Sequence, residues 1–317
     1  MGLSGESFRL FFNRQDPDQG VYVVAHNPLR AASSALGYDP NVLSATDFAP
    51  AVEQLRQSLE EGKGPPILHG RLDWVVVESY DPASGEYGVW RPGGRGERWP
   101  EAELRANWLA EAGLLELGLT GHYHFVIGEK KREPDPEEAA MGSLHRGIRF
   151  MFRRTRVDDC APGLAAYQEL LMMVSRRRRQ WGQQAYDFHK YAQWKQCPQE
   201  YVLASRESLV RYLDLIKQFF PEEEERQHFQ RAVRHYQTAV ETLQGLPSVP
   251  APAAAVLAKP PETPAEEKTL ARTVKRLQGD RRRAARQLKR LYYVEREAIE
   301  ELERAVWTAE RKRTQRA

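Results

Sequence analysis

The sequence predicts an α+β chain: a mixed N-terminal module, an all-α helical domain, and a C-terminal coiled coil or helical hairpin. Three observations carry this. Short β-branched runs and turn residues alternate with helical stretches over residues 1–130; strand signals vanish from Lys131 onward; and six prolines between Pro247 and Pro264 precede a long apolar seam. The expected domains are therefore 1–130, 131–246, a Pro/Ala-rich linker at 247–264, and a basic coiled-coil helix at 265–317.

In chain order, Val21 to Val24 reads as a short strand. Asp47 to Glu61 reads as a helix with Val52, Leu55 and Leu59 on one face, stopped by Gly62 and Gly64 before Pro65 and Pro66. Ile67 and Leu68 open a strand. Trp74 to Tyr80 and Glu86 to Trp90 form a hairpin, because Asp81-Pro82-Ala83-Ser84-Gly85 joins them: the proline fixes φ and the glycine accepts positive φ. A helix at about Pro100 to Ala110 and a strand from His122 to Gly128 close the module.

Beyond the turn-rich Glu133-Pro134-Asp135-Pro136, helices are expected at about 136–155, 163–179 and 183–195. Two clearer amphipathic helices follow, hinged at Pro221: Leu209, Tyr212, Leu213, Ile216 and Phe219 share one face, and Phe229, Val233, Tyr236, Val240 and Leu243 another. The prolines at 247–264 predict an extended tether. After it, Leu270, Val274, Leu277, Ala284, Leu288, Leu291, Ala298, Leu302 and Ala305 follow three-and-four spacing, interrupted by Arg281 and Glu295 at two seam positions. Gly279-Asp280 offers a stop and a new cap, which makes a hairpin the alternative to one helix.

Charge is polarised along the chain. Residues 1–130 hold 11 Lys and Arg against 18 Asp and Glu, whereas residues 264–317 hold 16 against 9. A basic tail of this kind meets an acidic partner or the chain's own acidic module. Mean hydropathy is −0.66 and no apolar run approaches a membrane span, so the expected protein is cytoplasmic with no membrane partner. Two cysteines, Cys160 and Cys197, make neither a disulfide framework nor a cysteine zinc site. No phosphate loop, dinucleotide fingerprint or zinc-helix motif occurs, and no cofactor is expected.

One stretch carries a family resemblance. A helix, Gly62-Lys63-Gly64-Pro65-Pro66-Ile67-Leu68, then Trp74-Val75-Val76-Val77-Glu78-Ser79-Tyr80-Asp81 and Tyr87-Gly88-Val89-Trp90-Arg91-Pro92, resembles the papain-like domains of bacteriocin-processing peptidases and the N-terminal part of butirosin biosynthesis protein H. The resemblance covers about 100 residues. It implies a papain-like fold whose active members place a Cys at the start of an N-terminal helix and a His ahead of the valine-rich strand. Here no Cys precedes position 160, Asp73 stands in the His position, and the orienting Asp or Asn falls near Arg91. Since Met1-Gly2-Leu3-Ser4-Gly5 resembles the middle of such a domain, a nucleophile-bearing helix upstream of Met1 is the alternative.

The resemblance places a ligand cleft at Ser4, His69, Asp73, Trp74, His122 and His124. His69 reads either as a stand-in for the missing imidazole from the preceding strand or, preferably, as a satisfied loop residue beside Gly70. His122 and His124, two apart on one strand, share a face but lack a third ligand, so no metal is assigned. Ser4 reads as a helix N-cap. Arg176 to Arg179 before Trp181 and Gly182 reads either as a phosphate grip or, preferably, as a helix end whose cations oppose the dipole. The expected function is a catalytically degenerate papain-like module that binds a peptide, acyl carrier or small molecule, with self-association or a protein partner through the seam residues. The alternatives are a cysteine peptidase or acyltransferase missing its nucleophile, and a nucleic-acid-associated protein acting through the basic tail.

Overall fold

The structure is a computed structural model that describes residues 6–19, 31, 34–35, 37–45, 47–62, 66–69, 74–90, 96–108, 123–176, 181–196 and 198–316. Its strands are β1 (Phe11–Phe12), β2 (Tyr38–Ala45), β3 (Ile67–His69), β4 (Trp74–Asp81), β5 (Glu86–Trp90), β6 (Glu97–Pro100), β7 (Tyr123–Lys130) and β8 (Ala161–Pro162). Its helices are α1 (Phe48–Glu60), α2 (Glu101–Asn107), α3 (Pro136–Met151), α4 (Gly163–Ser175), α5 (Trp181–Gln196), α6 (Pro198–Ile216), α7 (Glu223–Gln244), α8 (Ala251–Ala258) and α9 (Pro264–Arg316). The chain is α+β, and among the described residues no helix is long and apolar enough to cross a membrane. The strand expected at Val21 to Val24 lies outside the described residues.

Two compact units result: residues 26–139, and residues 1–25 together with 140–317. The first is a six-stranded antiparallel sheet in the order β2-β7-β3-β4-β5-β6. The β4–β5 hairpin forms as its turn chemistry requires. Asp81 accepts the Ala83 amide at 2.9 Å and the Ser84 hydroxyl at 2.9 Å, and Gly85 takes φ 73°. Helix α1 presents Ala51, Val52 and Leu55 to Leu68, Val75, Val77, Tyr87 and Val89. Strands β2 and β6 were not legible in the sequence. Pro40 sits within β2, which is tolerated because β2 is an edge strand.

In the second unit, the N-terminal segment belongs to the helical core, which corrects the expected boundary at residue 130. Phe8 and Phe11 pack with Leu144, Leu213, Phe229 and Tyr236, while Leu10 and Phe12 pack with Tyr167, Leu170 and Leu243. Backbone pairing adds to this: β1 pairs antiparallel with β8, and the Gly163 amide donates to the Leu10 carbonyl at 2.8 Å.

The expected linker is also corrected. Residues 251–258 form α8, with Ala253 and Leu257 buried against Ala185, Phe188, Leu270 and Val274. Pro252 falls in its first turn, where a missing N–H costs nothing. Helix α9 then runs without a break through Gly279, whose side facing outward is exposed, so the hairpin alternative is not what forms. The seam is not left open. Leu270, Val274 and Leu277 pack on α5 and α8, Leu288 and Leu291 join the core of α4 and α7, and Leu302 joins that of α3, α6 and α7. The seam residues expected to mediate association therefore have packing partners within their own chain.

The two charges that interrupt the seam are used internally. Glu295 and Arg206, both fully buried, pair through Nε–Oε1 at 2.7 Å and Nη2–Oε2 at 2.9 Å. Tyr167 donates to Glu295 at 2.7 Å, and Arg206 Nη1 donates to the carbonyls of Ser7 at 3.0 Å and Arg9 at 3.2 Å. Burial alone would lower the Arg206 pKa, but Glu295 beside it raises it, so the guanidinium stays charged. Arg281 donates to the carbonyls of Val174 and Arg176, satisfying the open end of α4.

Candidate functional site

One concave site in the helical unit lies where the N-terminal segment meets the β8–α4 junction. Its floor depends on a two-residue reversal, Val157-Asp158-Asp159-Cys160, closed by backbone bonds of 3.1 Å and 2.8 Å between Val157 and Cys160. Asp158 and Asp159 hold φ 47° and 61°, the left-handed pair that a tight hairpin of this type requires. Each non-glycine residue there costs about 1–2 kcal/mol, least for Asp and Asn. Three residues on, Gly163 at φ 53° has no substitute, because a Cβ would meet the Met151 carbonyl oxygen at 2.5 Å.

Side chains hold the facing loop in place. Asn13 Oδ1 accepts the amides of Gln15 at 2.8 Å and Asp16 at 3.4 Å, and its amide nitrogen donates to Gln19 at 2.5 Å. Gln19 in turn donates to the Asp158 carbonyl at 3.2 Å. Between these walls is a cleft of about 600 Å³ lined by Arg14, Arg156, Arg176, Asp159, Glu169 and Met172, among others. That volume is in the usual range for a small-molecule site. A shallower depression of about 350 Å³ shares Arg14 and adds Tyr186 and Asp187.

The three guanidinium groups differ in how they are held. Arg14 pairs with Asp187 at 2.8 Å, and Arg156 donates to Glu169 and to the Asp159 carbonyl. Arg176, the C-cap of α4, is exposed, and its side chain has no ion-pair partner among the described residues. Helix α4 ends at Ser175 with no basic residue in its last turn, and Arg176 follows as its C-cap; residues 177–180 lie outside the described residues. Met172, 47% exposed, adds an adaptable apolar contact to the wall.

Cys160 closes the same turn but offers no nucleophile. Its side chain is fully buried, and burial, with Asp158 and Asp159 nearby, pushes the thiol up to about 11. Cys197 lies outside the described residues. Among the described residues no group of three His, Cys, Asp or Glu could hold a metal ion.

The sheet unit gathers part of the set expected from the sequence. His69 pairs with Trp74 across β3 and β4. The β3–β7 pairing ends at Leu68 and Phe125, and His124 pairs with Ser44 of β2. Of the expected set, His69 and Trp74 therefore form a cross-strand pair, and His124 lies on the neighbouring strand β7. Ser4, Asp73 and His122 lie outside the described residues.

Nothing in the sequence marks Arg14 or Arg156: Arg14 stands alone in a loop, and Arg156 is one of three arginines between positions 153 and 156 with no pattern that singles it out. The detectable signal was Asp158-Asp159, a turn-forming pair ahead of Pro162-Gly163. Arg206 carried no signal, although its partner Glu295 stood out as a charge in an apolar seam. No protein-family model matches the chain, and no curated protein matches it in sequence.

Proposed function

We propose that this chain is a binding module that takes a small anionic ligand, a peptide or small-molecule carboxylate or phosphate, in the cleft at Arg14, Arg156 and Arg176. The observation that carries the reading is the exposed Arg176 guanidinium in a cleft of about 600 Å³ whose other cations are already fixed by Asp187 and Glu169. An incoming carboxylate or phosphate gains a two-pronged, charge-assisted contact there without breaking an existing pair. Strained left-handed aspartates beside a cleft are a further mark of a site shaped for a ligand.

The sheet unit fits this reading as a papain-like scaffold kept without its nucleophile: a helix packs on an antiparallel sheet, and His69 pairs with Trp74 across β3 and β4. The rival, a thiol-dependent peptidase or acyltransferase, draws no support from Cys160. Two free thiols at most and no membrane-spanning helix among the described residues suit a reducing, cytoplasmic setting.

Calorimetric titration of the full chain with an acidic tetrapeptide and with inorganic phosphate tests the proposal. At least one should bind, and Arg176→Gln should weaken it by about tenfold, the value of one charge-assisted contact. Absence of binding by both probes, or binding unchanged in Arg176→Gln, overturns it. Thiol-dependent turnover that disappears in Cys160→Ser would instead restore the enzyme reading.

A further inference from the structure

We propose that the outer face of the first half of α9, from Arg272 to Arg290, binds the phosphate backbone of a nucleic acid duplex. The face carries Arg272, Lys275, Arg276, Arg282, Arg283 and Arg286, continued by Lys289 and Arg290, and all eight are exposed. At about 100° per residue they fall within an arc of roughly 140°, so they form one stripe rather than a collar. None has an ion-pair partner among the described residues, and Asp280 is the one acid between positions 268 and 294. Lys289 does lie over the Tyr293 ring at 6.0 Å, which leaves its charge uncancelled.

Geometry selects the partner. From Arg272 to Arg290 the helix rises about 27 Å, so the eight cations lie on average about 3.9 Å apart along it, close to the roughly 3.4 Å phosphate spacing of one strand of a duplex along its axis. Six of the eight are arginine, whose fork matches phosphate oxygens. A lipid surface is a poorer fit. An interfacial helix must insert its apolar face, whereas here Leu270, Val274, Leu277 and Leu288 are consumed by the protein core. The helix is also held rigidly, since its opposite face is part of two core clusters and Arg281 is anchored to α4. The charged groups are thus ordered before any partner arrives, which lowers the entropy cost of binding.

The experiment is fluorescence anisotropy of the full chain with 20-base-pair DNA and RNA duplexes of arbitrary sequence, across a salt series. The chain should bind at least one, with log K falling against log salt at a slope of about −4 to −6, as expected for roughly five or six phosphates neutralised. The arms with DNA and RNA separate the two sources of the same backbone. Arg282→Glu/Arg283→Glu/Arg286→Glu should weaken binding by about 100-fold or more and flatten the slope by about 3. The matching Gln variant should show a smaller loss in the same direction. A control with the same charge change off the stripe, Arg154→Glu/Arg226→Glu/Arg234→Glu, should stay within about threefold. The proposal is overturned by absence of binding at low salt, by an equal loss in the control, or by preferential capture on phosphatidylserine vesicles or poly-glutamate.

Discussion

The two halves of α9 share one apolar seam and treat their charges in opposite ways. In the second half carboxylates are matched: Glu301 accepts from His228 and Arg231, each at 2.7 Å, Glu310 meets His145 at 2.8 Å, and Arg296 meets Glu300 at 2.7 Å. In the first half the outward cations have no such counterparts among the described residues. Charges that serve the fold face helices α3 and α7, whereas charges left over face outward in a row. The same helix therefore acts as a strut along its length and as a contact surface over part of it.

The largest effect that can break this comparison is removal of the helix. Truncation after Pro261 takes Leu270, Val274 and Leu277 from one cluster, Leu288 and Leu291 from a second, and Leu302 from a third. The shortened chain should lose cooperative urea unfolding in the helical unit, monitored by circular dichroism. A well-folded truncated protein would show that α9 is an appendage.

Next is the buried pair at its centre. Arg206→Met should cost about 3–5 kcal/mol, because it strands Glu295 without water or a counter-charge. Arg206→Met combined with Glu295→Leu should recover most of that loss, since two buried charges disappear together. Urea midpoints of the single and double variants decide it, and equal losses in both would contradict the pairing.

A smaller effect separates the halves by pH. Burial works against the charged form of Glu301, but hydrogen bonds from His228 and Arg231 outweigh it and hold the carboxyl below its ordinary value of 4.5. A carboxylate with a depressed folded pKa contributes stability that is fully present above the unfolded value and lost as pH falls through the folded one. Glu301→Gln should therefore cost about 1–2 kcal/mol at neutral pH, and the difference from the wild type should shrink below pH 4.5. A gap that persists or grows in acid would contradict this. The smallest effect is at the turn. Asp158→Gly should raise stability by up to about 1 kcal/mol by relieving the left-handed backbone, and Asp158→Val should lower it, both read from thermal midpoints.

Much of the architecture was legible because local chemistry decided it. The β4–β5 hairpin follows from Pro82 and Gly85, α1 from the spacing of Val52 and Leu55, and the α6–α7 pair from two apolar stripes. The linker was misread because six prolines suggest an extended chain, yet proline is excluded only from a helix interior. Pro250 and Pro252 sit at the start of α8, and Pro260 and Pro261 follow its end. The boundary at residue 130 was misread because Phe8 to Phe12 reach partners far along the chain, a tertiary choice that no local pattern records. The cleft was hidden for the same reason, since Arg14, Arg156 and Arg176 converge only after β1 pairs with β8.

Native-state hydrogen exchange along α9 tests the central claim most directly. If the whole helix is core, amides around Leu270 to Leu277 and around Leu288 to Leu302 should both be strongly protected, exchanging only through large-scale unfolding. Fast exchange confined to residues 264–290, with the remainder protected, would describe a loose basic tail and contradict the account.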